Sequence, residues 1–534
     1  MRVPVGLRHT LTGLRHRLMV SRWWRGAAAL LAGALPALAF PAPALWWFAY
    51  VALVPWLLLI RSARDGRRAA LDGWLGGTGF MLAVHHWLMP SLTVFIVVLA
   101  ALLGLLWAPW GALVRSTLGG PGAGRPSPQR ATAALAVLPA GWLMVELVRS
   151  WQGLGGPWGV LGSSQWQVAP ALRLASVGGV WLVSLFVVAA NVAVTVLLVS
   201  RPARTPVVAA VLAGAVAAGA VWAWAPRPER AGRMRVAVVQ TGMYEGGDVR
   251  FARSEALTRS LAGRDVDLVV WGESSVGSDL TARPDLAARI AALSRAVGAD
   301  ILVNVDARRA DRPGIFKSSV LVGPDGPTGA RYDKMRLVPF GEYIPARSLL
   351  GWATSVGKAA GEDRRRGSAP VVMTLPDGLR FGPVICFESA FPDMSRHLVR
   401  EGARLIVAQS STSSFQHSWA PAQHASLAAL RAAETGRPAV HATLTGISAV
   451  YGPDGERIGH WLGTHRSTAE VYDVPLADGT TLYVRFGDWA VYAALLVLAA
   501  YFAFTGRRSL RRPAPEPPVP PARTAHESRE RPVH

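Results

Sequence analysis

Gly382-Pro383-Val384-Ile385-Cys386-Phe387-Glu388-Ser389 holds the only cysteine of a 534-residue chain. The thiol follows a mostly apolar run, Leu379 to Ile385, that reads as a buried strand. A carboxylate stands two residues beyond it. A lone cysteine is by default a small buried hydrophobe. To act as a nucleophile it needs a base or a positive neighbour, since a free thiol ionises only near pH ~8.5. A single cysteine excludes an intramolecular disulfide and any cysteine-cluster metal site. Whether Cys386 is core or chemistry therefore depends on what the rest of the chain brings to it.

Hydrophobic residues make up 51% of the chain and charged ones 17%, with a mean hydropathy of +0.27. Those values point to a membrane protein with a soluble part attached. The net charge of +22 would suit a nucleic-acid binder, but the arginines crowd the ends of apolar segments, as orientation signals do. The reading is topology and no nucleic-acid partner. Lys317, Lys334 and Lys358 are the only lysines among 56 basic residues. Where arginine serves nearly everywhere, a surviving lysine is a candidate for a role needing a compact, titratable amine.

Residues 1–25 form a basic, cytoplasmic N-terminus. The run Gly26–Phe40 resembles a secretory signal, but a second run, Leu45–Ile60, begins almost at once, so the expectation is a retained first helix. Further spans are expected over Ala69–Leu88, Leu92–Val114, Ala131–Val148, Leu174–Ser200 and Pro206–Trp224. Each is long enough, or nearly so, for a hydrocarbon core of about 30 Å. Residues 26–225 thus read as a seven-helix transmembrane domain. Arginines fill the N-terminus and the loops Arg61–Arg68, Arg115–Arg130 and Arg201–Arg204, while the alternate loops carry almost none. The positive-inside rule places the basic set in the cytoplasm and residue 230 on the outer face. Residues 487–506 contain an eighth run, Ala490–Phe504, stopped by Arg507, Arg508, Arg511 and Arg512, which returns the chain inward. The tail within 507–534 is rich in proline and arginine and reads as disordered.

Residues 232–486 alternate short β-rich runs with helical patterns, as an α/β domain does. Gly-Pro-Asp-Gly recurs at Gly323–Gly326 and Gly452–Gly455 as hairpin punctuation. Three segments place reactive side chains after buried-looking strands: Val270-Trp271-Gly272-Glu273, Tyr332-Asp333-Lys334 followed by Pro339-Phe340-Gly341-Glu342-Tyr343-Ile344-Pro345, and the stretch around Cys386. At strand ends such side chains can converge on one cleft. Glu273 could then accept the thiol proton, and Lys334 could stabilise the thiolate and an oxyanion.

Together, in this chain order, the three segments resemble the carbon–nitrogen hydrolase, or nitrilase, superfamily. The Pro-Phe-Gly-Glu-Tyr-Ile-Pro flank, Ile-Cys-Phe-Glu and the apolar N-terminal half look like the apolipoprotein N-acyltransferase family within it, over roughly residues 20–505. That resemblance implies a multi-span helical bundle carrying an extracytoplasmic αββα sandwich at the cytoplasmic (inner) membrane of a bacterium. It implies transfer of a fatty acyl group from a phospholipid donor to the N-terminal amine of a diacylglyceryl apolipoprotein. By motif, Glu273 would be the general base, Lys334 the stabiliser of the intermediate and Cys386 the nucleophile that forms a thioester. Glu342 and Glu388 would support them. The chemistry requires no metal or organic cofactor.

Other features carry separate expectations. The loop Ser150–Gln167, with Pro157, Trp158 and Trp166, either lines substrate entry or forms an aromatic belt. Glu146 within a span is either functional or interfacial beside Arg149. Ser348–Ala360 is either a flap dipping into lipid or an ordinary loop. His85 and His86 read as interface residues rather than ligands. Phe387 stands where many relatives have tyrosine, and Gln409-Ser410-Ser411-Thr412-Ser413-Ser414 replaces an expected Asn-Asp-type pattern. Competing readings are a membrane-tethered amidase, against which the eight spans argue, and a scaffold for a lipid-linked glycosyltransferase, which would tolerate a degenerate triad. A transporter would need paired ionisable residues along the spans.

Overall fold

The computed structural model describes residues 21–121, 126–244, 246–351 and 361–510. The tail Pro513–His534, most of the basic N-terminus and the greater part of Ser348–Ala360 lie outside the described residues.

Four helices among the described residues are long and apolar enough to cross a membrane: Pro128–Arg149, Ala169–Val199, Arg201–Trp224 and Trp489–Arg507. Phe95–Gly104 and Trp107–Leu118, bent by 41°, make a fifth if they act as one span. The remaining three expected spans take other forms. The first is a helix, Arg22–Ala34, that tightens to a 3-10 turn over Leu35–Ala39. The second divides into a 3-10 turn, Trp46–Tyr50, and the short helix Val54–Arg61. Pro36 and Pro55 sit at the start of the new pieces, where a missing N–H is tolerated.

The third, Gly66–His85, is a full 20 residues, but Arg67, Arg68, Asp72 and its glycines dilute the hydropathy. Those glycines permit backbone-close packing. A Cβ on Gly76 would lie 2.0 Å from the Trp56 ring, and one on Gly73 would lie 2.4 Å from the Trp107 carbonyl oxygen. Trp142 packs against Trp56, Trp107 and Trp110 with ring centroids 5.9, 5.4 and 5.1 Å apart. Asp72, fully buried, is neutralised by Arg25 at 2.6 Å and Arg68 at 2.9 Å.

Glu146 is buried and accepts from the Trp142 indole at 2.8 Å and from the Leu161 N–H at 2.6 Å. It pins the loop Ser150–Gln167 to the helix rather than facing an interface. His85 and His86 turn their Nδ1 atoms to the carbonyls of Met81 and Ala83.

The helix Ala169–Val199 is broken at Gly178 and Gly179, the latter at φ +69°. Its second half begins at Val180, whose N–H donates to Glu434 Oε1 at 2.7 Å. A helix start leaves N–H groups without intrahelical partners, and a carboxylate there also meets the positive end of the helix dipole. The cap comes from the other half of the molecule.

That half is an α/β sandwich. Its strands are β1 (Glu229–Gln240), β2 (Leu268–Trp271), β3 (Asp300–Arg308), β4 (Ile315–Gly323), β5 (Gly326–Asp333), β6 (Met373–Thr374), β7 (Arg380–Ile385), β8 (Leu405–Ser410), β9 (Ala439–Thr443), β10 (Ser448–Tyr451), β11 (Arg457–Leu462) and β12 (Thr468–Asp478). One sheet runs β12-β1-β2-β3-β4-β5 and the other β11-β10-β9-β8-β7-β6. The centres are parallel, β1 with β2 and β3, and β7 with β8 and β9.

Strands buried on both faces read as continuous apolar runs. Val236 and Val238 pack in the same core as Phe381, Ile406 and Val440 of the opposite sheet. Ala237 and Val239 pack with Phe251 and Ile290 of the helices Gly247–Arg259 and Pro284–Val297. The helices Pro392–Arg400 and Ala420–Thr435 belong to the second sheet, giving four layers.

The sheets come close together where β2, β8 and β9 end. A Cβ on Gly272 would lie 1.9 Å from the Leu444 nitrogen. Gln409, at the start of the serine-rich stretch, spans the gap. Its Nε2 donates to the Trp271 carbonyl at 2.7 Å, and its Oε1 accepts from Ser319 at 2.5 Å. The departure at this position is thus a cross-link between the sheets.

Candidate active site

Glu273 follows β2, Lys334 follows β5 and Cys386 follows β7, so three strand ends deliver them to one place. Each of the surrounding turns contains a non-glycine residue in the left-handed region: Ser274 at φ +58°, Phe340 at φ +63° and Cys386 itself at φ +53°. Such backbone costs about 1–3 kcal/mol per residue and persists only where the surroundings over-determine it. At Cys386 it turns the chain sharply out of β7 into the 3-10 turn Cys386–Ala390.

Lys334 is fully buried, with Nζ 2.8 Å from Glu342 Oε1 and 3.4 Å from Glu273 Oε1. Lys317, from β4, reaches the same two atoms at 3.2 and 2.7 Å. Cys386 feels all four charges. Glu273, Lys334, Glu342 and Cys386 are therefore brought together. Lys358 lies outside the described residues.

Burial alone would raise the Glu273 carboxyl, but the Lys317 and then the Lys334 ammonium overcome it and hold it down at about 2. Glu342 is lowered likewise, against burial, by Lys334 and Lys317. Both ammonium groups are raised despite burial, by the carboxylates around them. For Cys386, burial and the Glu273 charge push the thiol up to about 12, against Lys334 and Lys317. At neutral pH the site thus holds a protonated thiol and an ionised carboxylate whose charge acts on it, a donor and an acceptor for proton transfer.

Glu388 stands behind this group rather than in it. Its Oε1 accepts from the Tyr332 hydroxyl at 2.7 Å and from the N–H groups of Met335 and Arg336 at 2.7 and 2.9 Å. Its Oε2 accepts from the Ile385 N–H at 2.8 Å. One buried carboxylate ties the turn bearing the thiol to the segment bearing the lysine. Burial raises this carboxyl, against those donors.

Residues beyond the five expected ones complete the surroundings. His424 Nε2 lies 3.1 Å from the Cys386 carbonyl oxygen and 3.0 Å from Ser389 Oγ. Burial lowers this imidazole to about 4, leaving it neutral. Its ring packs 5.1 Å from that of Trp158. A Cβ on Gly156 would sit 2.7 Å from ring atoms of both Phe387 and Phe391. The loop Ser150–Gln167 therefore lies directly over the residue after the thiol, and Phe387 packs against it edge-on to Phe391, at 4.9 Å. A buried His on a helix gives no local signal of what it faces, so sequence reasoning passed over His424.

Residues 235–478 match the carbon-nitrogen hydrolase family, which makes this half a nitrilase-like α/β fold. Residues 32–193 match the apolipoprotein N-acyltransferase N-terminal domain. An apolipoprotein N-acyltransferase from Geobacter metallireducens is 30% identical over 503 residues, covering 88% of this chain and 94% of its own. One from Azotobacter vinelandii is 30% identical over 536 residues, covering 93% and 98%. An amidase from Nesterenkonia sp. aligns at 19% identity and a TM-score of 0.33, over 47% of this chain and 92% of its own. The chain belongs to the apolipoprotein N-acyltransferase family.

Proposed function

We propose that this protein is an acyltransferase of lipoprotein maturation. It moves a fatty acyl group from a membrane phospholipid to the N-terminal amine of a diacylglyceryl-cysteine apolipoprotein, through a thioester on Cys386. The observation that carries the reading is the convergence of Cys386, Glu273 and Lys334 directly beneath a loop joining two membrane-length helices. A soluble amidase needs no such roof.

In the first half-reaction Glu273 takes the Cys386 proton as the sulfur attacks the ester carbonyl. The Lys334 ammonium faces the oxyanion that forms. Collapse breaks the ester C–O bond, and the leaving oxygen takes the proton from Glu273, releasing a lysophospholipid. In the second, the acceptor amine attacks the thioester and Glu273 receives the amine proton. The C–S bond breaks, the amide leaves, and the proton returns to the sulfur. Glu342 holds Lys334 in place through its 2.8 Å contact.

The α/β part, residues 232–486, is assigned to the extracytoplasmic face and both termini to the cytoplasm. Arginine-rich loops on one side support this, as does tethering at both ends by the helices Arg204–Trp224 and Trp489–Leu510.

The test is intact-mass measurement of purified protein incubated with phospholipid and no acceptor. A fatty acyl adduct removable by hydroxylamine is expected on the wild type and absent from Cys386→Ala. A wild type that never acquires it, or an adduct that survives the substitution, overturns the assignment.

A further inference from the structure

Lys317 takes part in none of these steps, yet it is closer to Glu273 than Lys334 is. It pairs with Asp306 across β3 and β4, while its neighbour Ser318 pairs with Asp333 on β5. That register sets it beside Lys334. Its Nζ lies 2.7 Å from Glu273 Oε1, 3.2 Å from Glu342 Oε1 and 3.6 Å from Asp306 Oδ2, with the side chain 14% exposed. Lys334 contacts the same two glutamate oxygens. The four heads close a square of alternating sign, in which one oxygen of each carboxylate is shared by both ammonium groups.

Two buried carboxylates facing a single cation would compete for it, and like charges held close drive one of them to take up a proton. A second cation at the opposite corner removes that competition. Among the described residues, the other charged or titratable groups around the square are Asp306, with Arg364 3.3 Å beyond it, Glu388 behind Lys334, the Cys386 thiol, and the neutral ring of His424.

We propose that Lys317 is a positioning residue which, as the second cation of this square, keeps Glu273 ionised and sets the lowest pH at which that carboxylate can take the Cys386 proton. The inference rests on the reading of Glu273 as the base. It also implies that Lys334, relieved of neutralising Glu273 alone, is left to face the oxyanion.

The chain has one cysteine, so alkylation of Cys386 by iodoacetamide is counted directly on the intact, detergent-solubilised protein. Its rate is followed against pH in the wild type, Lys317→Gln and Lys317→Arg. The wild type is expected to show no acid-side inflection above about pH 4, the ordinary carboxylate range. Lys317→Gln brings one in above about pH 4, since removing a cation lets Glu273 protonate at higher pH. Lys317→Arg, which keeps the charge, recovers most of the wild-type profile.

A slower Lys317→Gln with an unmoved profile makes the residue merely structural and overturns the proposal. So does an arginine variant shifted as far as the glutamine one. If Lys317→Gln does not fold, Lys317→Gln combined with Asp306→Asn removes an ion pair as a unit and is held to the same shift. The readout needs no lipid. An acyl adduct on the wild type with an unmoved Lys317→Gln profile removes this inference alone. The expected shift without any adduct removes the transfer reaction and leaves the role of Lys317 standing.

Discussion

The indole N–H of Trp158 donates to Oε1 of Gln423 at 2.8 Å, and the indole of Trp87 donates to the same oxygen at 3.1 Å. One amide on the helix behind Cys386 thus holds two tryptophans of the helical part. In Gln423→Ala both buried donors lose their partner, at about 1–3 kcal/mol each. The thermal midpoint of the solubilised protein should fall, and Gln423→Glu, which keeps an acceptor, should lose less. Equal midpoints for Gln423→Ala and the wild type would refute the docking role.

Gly156→Ala tests the roof over the thiol. The new methyl would meet Phe387 and Phe391 at 2.7 Å, from a backbone at φ +68°, so the loop must shift. Overpacking of this kind costs about 1–3 kcal/mol. Acyl loading of Cys386 from phospholipid should drop roughly tenfold or more, while alkylation by the much smaller iodoacetamide stays near wild type. Equal losses in both would mean a collapsed site rather than a displaced roof.

Glu273→Gln should act with opposite signs on two measurements. With Glu273 as the proposed base, its loss should slow acyl-enzyme formation by about 10²–10⁴-fold. The Glu273 charge, after burial, is what raises the thiol to about 12. Without it, Lys334 and Lys317 stabilise the thiolate, which should appear at lower pH, seen by its ultraviolet absorbance during titration. A thiol that titrates at or above its wild-type position would contradict the charge arrangement.

Glu388→Gln replaces an oxygen by an NH2 group among four hydrogen-bond donors. At least one backbone N–H then faces another donor. A destabilisation of about 2 kcal/mol or more is expected, with slower acyl loading because the thiol turn loses its tie to the lysine segment. A stable variant with normal loading would show that the clamp is dispensable.

What could be read from the chain depended on the range of the interaction. Glu273, Lys334 and Cys386 each close a recognisable strand, so local pattern located them and the family resemblance joined them. Lys317 stood out only by its rarity. Its place beside Glu273 comes from the antiparallel pairing of β3, β4 and β5, which no local run displays. Gln409 looked like a departure from pattern because its partners, Trp271 and Ser319, are 138 and 90 residues away. In the helical part, hydropathy located the apolar runs, but Pro36 and Pro55 cut the first two into short pieces. The glycines of Gly66–His85 trade hydropathy for close packing.

The Val180 N–H and the carboxylate that caps it are 254 residues apart. A ribosome adding residues at roughly 5–20 per second delivers the second many seconds after the first. Throughout that interval the broken helix is in place with its inner start unfinished, and it is completed only when Glu434 has been made and the helix Ala420–Thr435 has folded against it. A chain truncated after its first seven apolar runs would lack not only the chemistry but also the cap on the second half of the helix Ala169–Val199, and the cell's quality control would meet it as an unfinished membrane protein.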